Sequence, residues 1–154
     1  YNDDNFIKST KDSMSTFNQN NPHHNQLLLA HCTTVFDEMS KYTTNANILQ
    51  ACVLHDVGKL YTQKTDEEGV SHYYQHENVG AYYLLSNYMN IIASTYQSTS
   101  DMLEMLFYVN YHMLPMNWIT DKSKKKAIRT FGENKFNMLT KFNMCDKIRN
   151  IKED

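Results

Sequence analysis

Disulfides, a membrane span and a strong charge of either sign are all missing from this chain. Three cysteines, an odd number at irregular positions, exclude a paired disulfide framework. Cys32, Cys52 and Cys145 each lie in apolar helical stretches, where a thiol packs as a small hydrophobe, and we expect a reducing, cytoplasmic setting. No apolar run approaches the roughly 18 residues of a membrane-spanning helix. The N-terminus has neither the basic nor the apolar region of a signal peptide, so we expect a soluble protein with no membrane partner. A formal net charge of -2 and a pI near 6.4 exclude the global basic field of a dedicated nucleic-acid binder, so any polyanion has to be engaged locally.

Glycine and proline are also scarce, at four and two. Gly58 and Gly132 read as helix ends, Gly69 as a turn, and Gly80 as a point of close helix approach. With 154 residues the chain can bury a single core without disulfide support. We read residues 1–20 as an N-terminal helix or lid and 21–154 as one domain. A first residue that is Tyr1 and not methionine leads us to expect a longer parent protein.

Most of the chain has the three- and four-residue spacing of short helices. Phe6, Ile7, Met14 and Phe17 give a weak pattern ending in a turn at Asn20-Asn21-Pro22. Leu28, Cys32, Val35, Phe36 and Met39 give a stronger one over Gln26 to about Met39, with His31 on its inner side. A helix from about Asn45 carries Ile48, Leu49, Cys52 and Val53 and delivers His55 and Asp56 at its C-terminal end. Tyr61-Thr62 and His72-Tyr73-Tyr74 flank Asp66-Glu67-Glu68-Gly69 as a small β-hairpin. Helical spacing resumes through Val79, Leu84, Leu85, Tyr88 and Met89. It recurs through Met102, Leu103, Leu106, Phe107 and Val109, where Asp101 and Glu104 have capping-box spacing and His112 falls near the end. Lys124–Phe131 and Asn134 to about Ile151 complete the chain, the last helix placing Leu139, Phe142, Asp146 and Arg149 on one face. The predicted class is therefore all-α with one small hairpin.

The chemistry is concentrated in Ala51-Cys-Val-Leu-His55-Asp56-Val-Gly-Lys59. A carboxylate directly after an apolar run costs several kcal/mol unless it is paired or bound to a metal. Asp146 raises the same question on the last helix. Together with His31, His76 and His112 these residues come from five separate segments, and a mixed imidazole and carboxylate set suits first-row divalent ions. Taken singly, each histidine is better read as a satisfied core or surface residue. The ordered series of histidine, His-Asp, histidine, histidine and aspartate carries the argument.

That series resembles the HD-domain superfamily of metal-dependent phosphohydrolases over about Asn20 to Arg149. The matching pieces are Asn21-Pro-His-His24-Asn leading to His31, His55-Asp56-Val-Gly-Lys59, Tyr74-Gln-His76-Glu-Asn-Val-Gly80-Ala, Tyr111-His112-Met and Cys145-Asp146-Lys147. The likeness is strongest to HD domains attached to tRNA nucleotidyltransferases or associated with polynucleotide kinases. It implies a helical bundle in which His31, His55, Asp56 and Asp146 bind one metal, with Asp56 bridging to a second held by His76 and His112. The cofactor would be one or two divalent ions of iron, manganese, nickel or cobalt, or magnesium. Asp56 and Lys59 would be catalytic, with Lys59 neutralising charge on phosphoryl oxygens and, together with His24, meeting the substrate phosphate.

The function implied is hydrolysis of nucleotide or RNA-end phosphoesters, as a 2',3'-cyclic phosphodiesterase and phosphomonoesterase. Its rivals are a small-nucleotide hydrolase (5'-nucleotidase, deoxynucleoside triphosphate hydrolase or cyclic-nucleotide phosphodiesterase) and a metal- or nucleotide-binding module without turnover. The resemblance also suggests a fused or associated kinase or nucleotidyltransferase domain, and leaves oligomeric state open. We read Lys122, Lys124, Lys125, Lys126 and Arg129 as a solvated face, with steering of a nucleotide or RNA end as the functional alternative. His72 reads as structural, on the hairpin.

Overall fold

A computed structural model describes residues 4–95 and 98–148. It is mostly helical with one small antiparallel sheet, as predicted. Helix α1 (Asp4–Ser15) is a packed element and not a detached lid: Met14 is fully buried, and Phe6, Ile7 and the following Phe17 pack against the core. Helix α2 (Leu28–Met39) buries Leu28, His31, Cys32, Val35 and Met39, a stripe one helical repeat wide. Helix α3 (Ala46–Leu54) starts where the Asn45 side chain accepts hydrogen bonds from the amides of Asn47 and Ile48, satisfying two otherwise orphaned donors. It packs between α2 and α7 (Thr99–Tyr111), and these three helices hold the centre of the core. All three cysteines are free and buried there.

Several boundaries differ from the periodicity. The His55-Asp56 motif runs into a one-turn helix, α4 (Lys59–Thr62), so Tyr61-Thr62 is helical and the strands are β1 (Lys64–Thr65) and β2 (Ser71–His72). They pair with Lys64 opposite His72 and Thr65 opposite Ser71. The pattern from Val79 to Met89 is two helices, α5 (His76–Ser86) and α6 (Tyr88–Thr95), and Leu85 and Met89 are exposed, as is Leu103 on α7. The capping box of α7 joins Ser98 to Asp101; Glu104 instead accepts a hydrogen bond from Asn45. Helix α8 (Asp121–Phe131) begins three residues earlier than its apolar spacing, because Thr120 and Ser123 form a reciprocal cap. Helix α9 (Glu133–Asp146) ends at the carboxylate itself, and Arg149 and Ile151 lie outside the described residues.

Gly58 does not act as a helix stop. Its backbone is ordinary right-handed helical, and its role is steric: a Cβ there would lie 1.9 Å from the carbonyl oxygen of His76 and 2.6 Å from the amide nitrogen of Gly80. Gly80 completes the close approach predicted for it, since its own Cβ would come within 3.1 Å of the Gly58 nitrogen. The two glycines let α5 lie directly on the His-Asp segment and bring His76 to Asp56. Gly58→Ala is therefore expected to cost at least about 2–3 kcal/mol by overpacking against backbone that cannot move aside. Thermal denaturation would register this as a clear fall in Tm, whereas an unchanged Tm would show that α5 does not depend on the contact.

Candidate metal centre

The cluster assembles at helix ends. His55 is the C-cap of α3, His112 the C-cap of α7, His76 the first residue of α5, and Asp146 the last of α9. Only His31 comes from within a helix. Asp56 lies at the centre, 2% exposed, with its two oxygens turned to different neighbours. Its Oδ1 is 3.0 Å from His76 Nε2 and 3.5 Å from His112 Nε2. Its Oδ2 is 3.0 Å from Lys59 Nζ, 3.4 Å from His55 Nε2 and 3.5 Å from His31 Nε2. Asp146 Oδ1 completes the second side, 2.8 Å from His31 Nε2 and 3.0 Å from His55 Nε2. All six residues expected from the sequence to ligate metal thus converge.

Two groups result, His31 with His55, Asp56 and Asp146, and Asp56 with His76 and His112. Within each group the donor atoms all lie within 4.8 Å of one another. Nitrogen and oxygen ligands about 2.1 Å from a common ion and at right angles stand about 3 Å apart, so the spacing fits a divalent cation. The proton inventory fits it as well. His55, His76 and His112 each donate Nδ1–H to a carbonyl three residues back, of Cys52, Tyr73 and Val109, at 2.7, 3.0 and 2.7 Å. A neutral imidazole with Nδ1 so committed has a lone pair at Nε2. These lone pairs face carboxylate oxygens, and those of His76 and His112 face each other at 3.3 Å. Acceptor against acceptor in a buried site demands either extra protons or a cation, and a backbone-anchored Nδ1 is the usual support of a metal-binding histidine. These buried groups could hold a metal ion.

Without a metal the carboxylates recruit protons instead. Burial opposes charge on His55, but Asp56 and Asp146 outweigh it and hold its pKa well above the ordinary value of 6.5; His76 is raised in the same way by Asp56. For Asp56 and Asp146 burial is likewise overcome, by His55 and Lys59 for the first and by His55 and His31 for the second, and both stay ionised far below the usual range. In the metal-free protein the stability from His55 is therefore full below about pH 6.5 and is lost as pH rises through its higher folded value. The stability from the two aspartates is full above about pH 3.8 and is lost only as acid protonates them.

Beside the cluster opens a cavity of about 740 Å³, of the size that holds a small molecule. His31, Asp56, His76 and Asp146 form part of its wall, with Lys59, His24, Asn143, Met113 and Met116 around them. Lys59 is buried, not a surface lysine: its ammonium is shared between Asp56 and Gln19 Oε1 at 2.8 Å, and Asp56 keeps it charged despite burial. His24 is pushed down to about 4 by burial and by the Lys59 charge, so at neutral pH it offers a neutral ring. The segment carrying it is tied to the hairpin, where Asn20 Nδ2 donates to Gly69 O and Asn21 Nδ2 to Ser71 O. His72 pairs with Asp66 at 2.7 Å on the hairpin, and its residue also borders the cavity. The lysines and arginine of α8 are exposed, and none of them lines the cavity.

No protein-family model, curated protein sequence or solved structure significantly matches the chain. Among the described residues no helix is long and apolar enough to cross a membrane. The site must therefore speak through its own chemistry.

Sequence reasoning missed Gln19, Met113, Met116 and Asn143. Gln19 sits in a polar segment without periodicity and gave no signal. Asn143 had one, since it lies one turn before Asp146 on the inward side of α9.

Metal binding has a definite pH signature here. Because His55 and His76 carry raised pKa values, an ion that takes their Nε2 atoms must displace protons, and affinity should rise with pH. Calorimetric titration with manganese in buffers of different ionisation enthalpy should report net proton release at pH 7. A binding enthalpy independent of buffer would contradict the assignment.

Proposed function

We propose that this protein is a metal-dependent phosphohydrolase of the HD-domain kind, acting on a phosphoester of a nucleotide or of an RNA end. The single observation that carries the proposal is the pair of His/Asp groups sharing Asp56 at the wall of a nucleotide-sized cavity. Divalent ions of the iron, manganese, nickel or cobalt type suit this mixture of imidazole and carboxylate. When bound, they would polarise a phosphoryl oxygen and lower the pKa of water.

The chain's own residues have distinct tasks. Asp56 presents one oxygen to each half of the cluster, while His31, His55 and Asp146 serve one half and His76 and His112 the other. Lys59 holds Asp56 ionised and adds a fixed positive charge at the cavity wall, where it would offset negative charge gathering on phosphoryl oxygens. His24, neutral at pH 7, supplies hydrogen bonds to the substrate rather than charge. The apolar wall of Met113 and Met116 suits the organic part of a nucleotide.

The leading substrates are 2',3'-cyclic nucleotides and 2'- or 3'-monophosphates. One observation favours a second reading, a hydrolase of free small nucleotides such as 5'-monophosphates or deoxynucleoside triphosphates. The basic residues of α8 contribute nothing to the cavity, so no charged track for a polynucleotide leads into it from that helix.

A substrate panel with added manganese, nickel, cobalt or iron tests both readings. Turnover of the cyclic and 2'- or 3'-phosphates is expected, and Asp56→Ala should reduce it by more than about a hundredfold, beyond what loss of an outer-shell partner costs. Circular dichroism would check that the variant is folded. Preference for 5'-phosphates or triphosphates would select the second reading, and metal binding without any turnover would reduce the protein to a binding module.

A further inference from the structure

Asn143 is a buried polar residue of this cavity that the metal-centred reading does not use and that, unlike Gln19, is not paired with Lys59. It is 6% exposed and belongs to α9, one turn before Asp146, and it borders the cavity. Its backbone carbonyl accepts from Lys147 at 3.2 Å, but its side-chain amide has no hydrogen-bond partner among the described residues. A buried amide without a partner is costly, and a leucine of similar volume would fill the same space on a helix otherwise lined by Leu139 and Phe142. A group of this kind at the wall of a cavity is placed to hydrogen-bond whatever occupies that cavity.

The chemistry of the amide narrows that partner. A phosphoryl dianion is best met by metal ions, Lys59 and other donors, and would leave the carbonyl oxygen of the amide unused. Asn143 both donates and accepts, so it matches a group that also does both. Its position fits: residues three apart on a helix have Cβ atoms about 5–6 Å apart, which sets Asn143 beside Asp146 on the cavity wall and outside both His/Asp groups. Met113 and Met116 form the apolar wall of the same cavity.

Resting on the phosphohydrolase reading above, we propose that Asn143 is a specificity-determining residue whose side-chain amide hydrogen-bonds the organic part of the phosphoester. The group recognised is one that both donates and accepts, a sugar hydroxyl or the edge of a base. Sites built around such a bond reject analogues that lack the group, because the protein side is then left unpaired.

The test compares the manganese-loaded full chain with Asn143→Leu by equilibrium binding of inorganic phosphate and of a non-hydrolysable phosphonate analogue of adenosine 3'-monophosphate. The variant is expected to bind the nucleotide analogue about tenfold more weakly, as loss of one good hydrogen bond implies. Phosphate binding and metal stoichiometry should stay within about twofold of the wild type by the same scale. Removing an unpaired buried amide should also leave the Tm of the ligand-free variant unchanged or raise it, by up to about 4 °C. A purely structural asparagine would lower it. The 2'-deoxy analogue narrows the contact: weak binding to the wild type points to the 2'-hydroxyl, undiminished binding to the 5'-hydroxyl or the base edge. Equal losses for phosphate and nucleotide, no loss for either, or a lowered Tm would each overturn the proposal. Failure of the metal-loaded wild type to bind phosphate or nucleotide would instead overturn the phosphohydrolase reading and this inference together.

Discussion

Asp56 is the charge around which the site is built. One carboxylate, almost wholly removed from water, faces His76 and His112 with one oxygen and Lys59, His55 and His31 with the other. Burying it alone would be prohibitive, so α2, α5 and α7 bring imidazole nitrogens and Lys59 a positive charge, while α9 adds a second carboxylate that shares His31 and His55. That requirement explains the convergence of five segments on one point, and it makes the neighbours interdependent. Removing one partner leaves a buried charge that the others were positioned to share.

Helix ends supply the geometry. Helices α3, α7 and α9 all direct their C-termini at the cluster, where the helix dipole favours a cation. The carbonyls of Cys52 and Val109 also anchor the Nδ1 atoms of His55 and His112, so the same backbone that ends the helix aims the ring. Helix α5 approaches from its N-terminal end, an unfavourable direction for a cation, and is drawn in by the Gly58 and Gly80 contact. Gln75, just before His76, takes a left-handed conformation with φ of 58°, which sets the turn that presents the ring. The hairpin has no part in the core. Its hydrogen bonds to Asn20 and Asn21 hold the segment carrying His24 against the cavity.

Helices whose inner faces are continuous could be read from periodicity: α2 and α3 fall within a residue or two of expectation, because one face is apolar and the other is not. Boundaries set by a hydrogen bond from a side chain escaped. Ser98, and Thr120 with Ser123, cap their helices outside the apolar pattern, and the break between α5 and α6 at Asn87 interrupts a spacing that otherwise continues. The six residues that could hold a metal were legible for a different reason. A His-Asp pair after an apolar run and an aspartate on an apolar face are violations of the burial rule, and violations of that rule mark sites. Lys59 was legible as a member of the motif but not in its environment, since its partner Gln19 is 40 residues away.

By itself the sequence determined the helical class, the buried thiols and the six residues that need one another, because apolar spacing and misplaced polar groups are properties of local segments. Only the tertiary structure decided that Asp56 divides its oxygens between two groups, that Lys59 is buried and paired, and that the Asn143 amide borders the cavity with no hydrogen-bond partner among the described residues. Those facts depend on distances between segments far apart in the chain, set by how closely α5 and α9 approach the end of α3, and no local pattern encodes them.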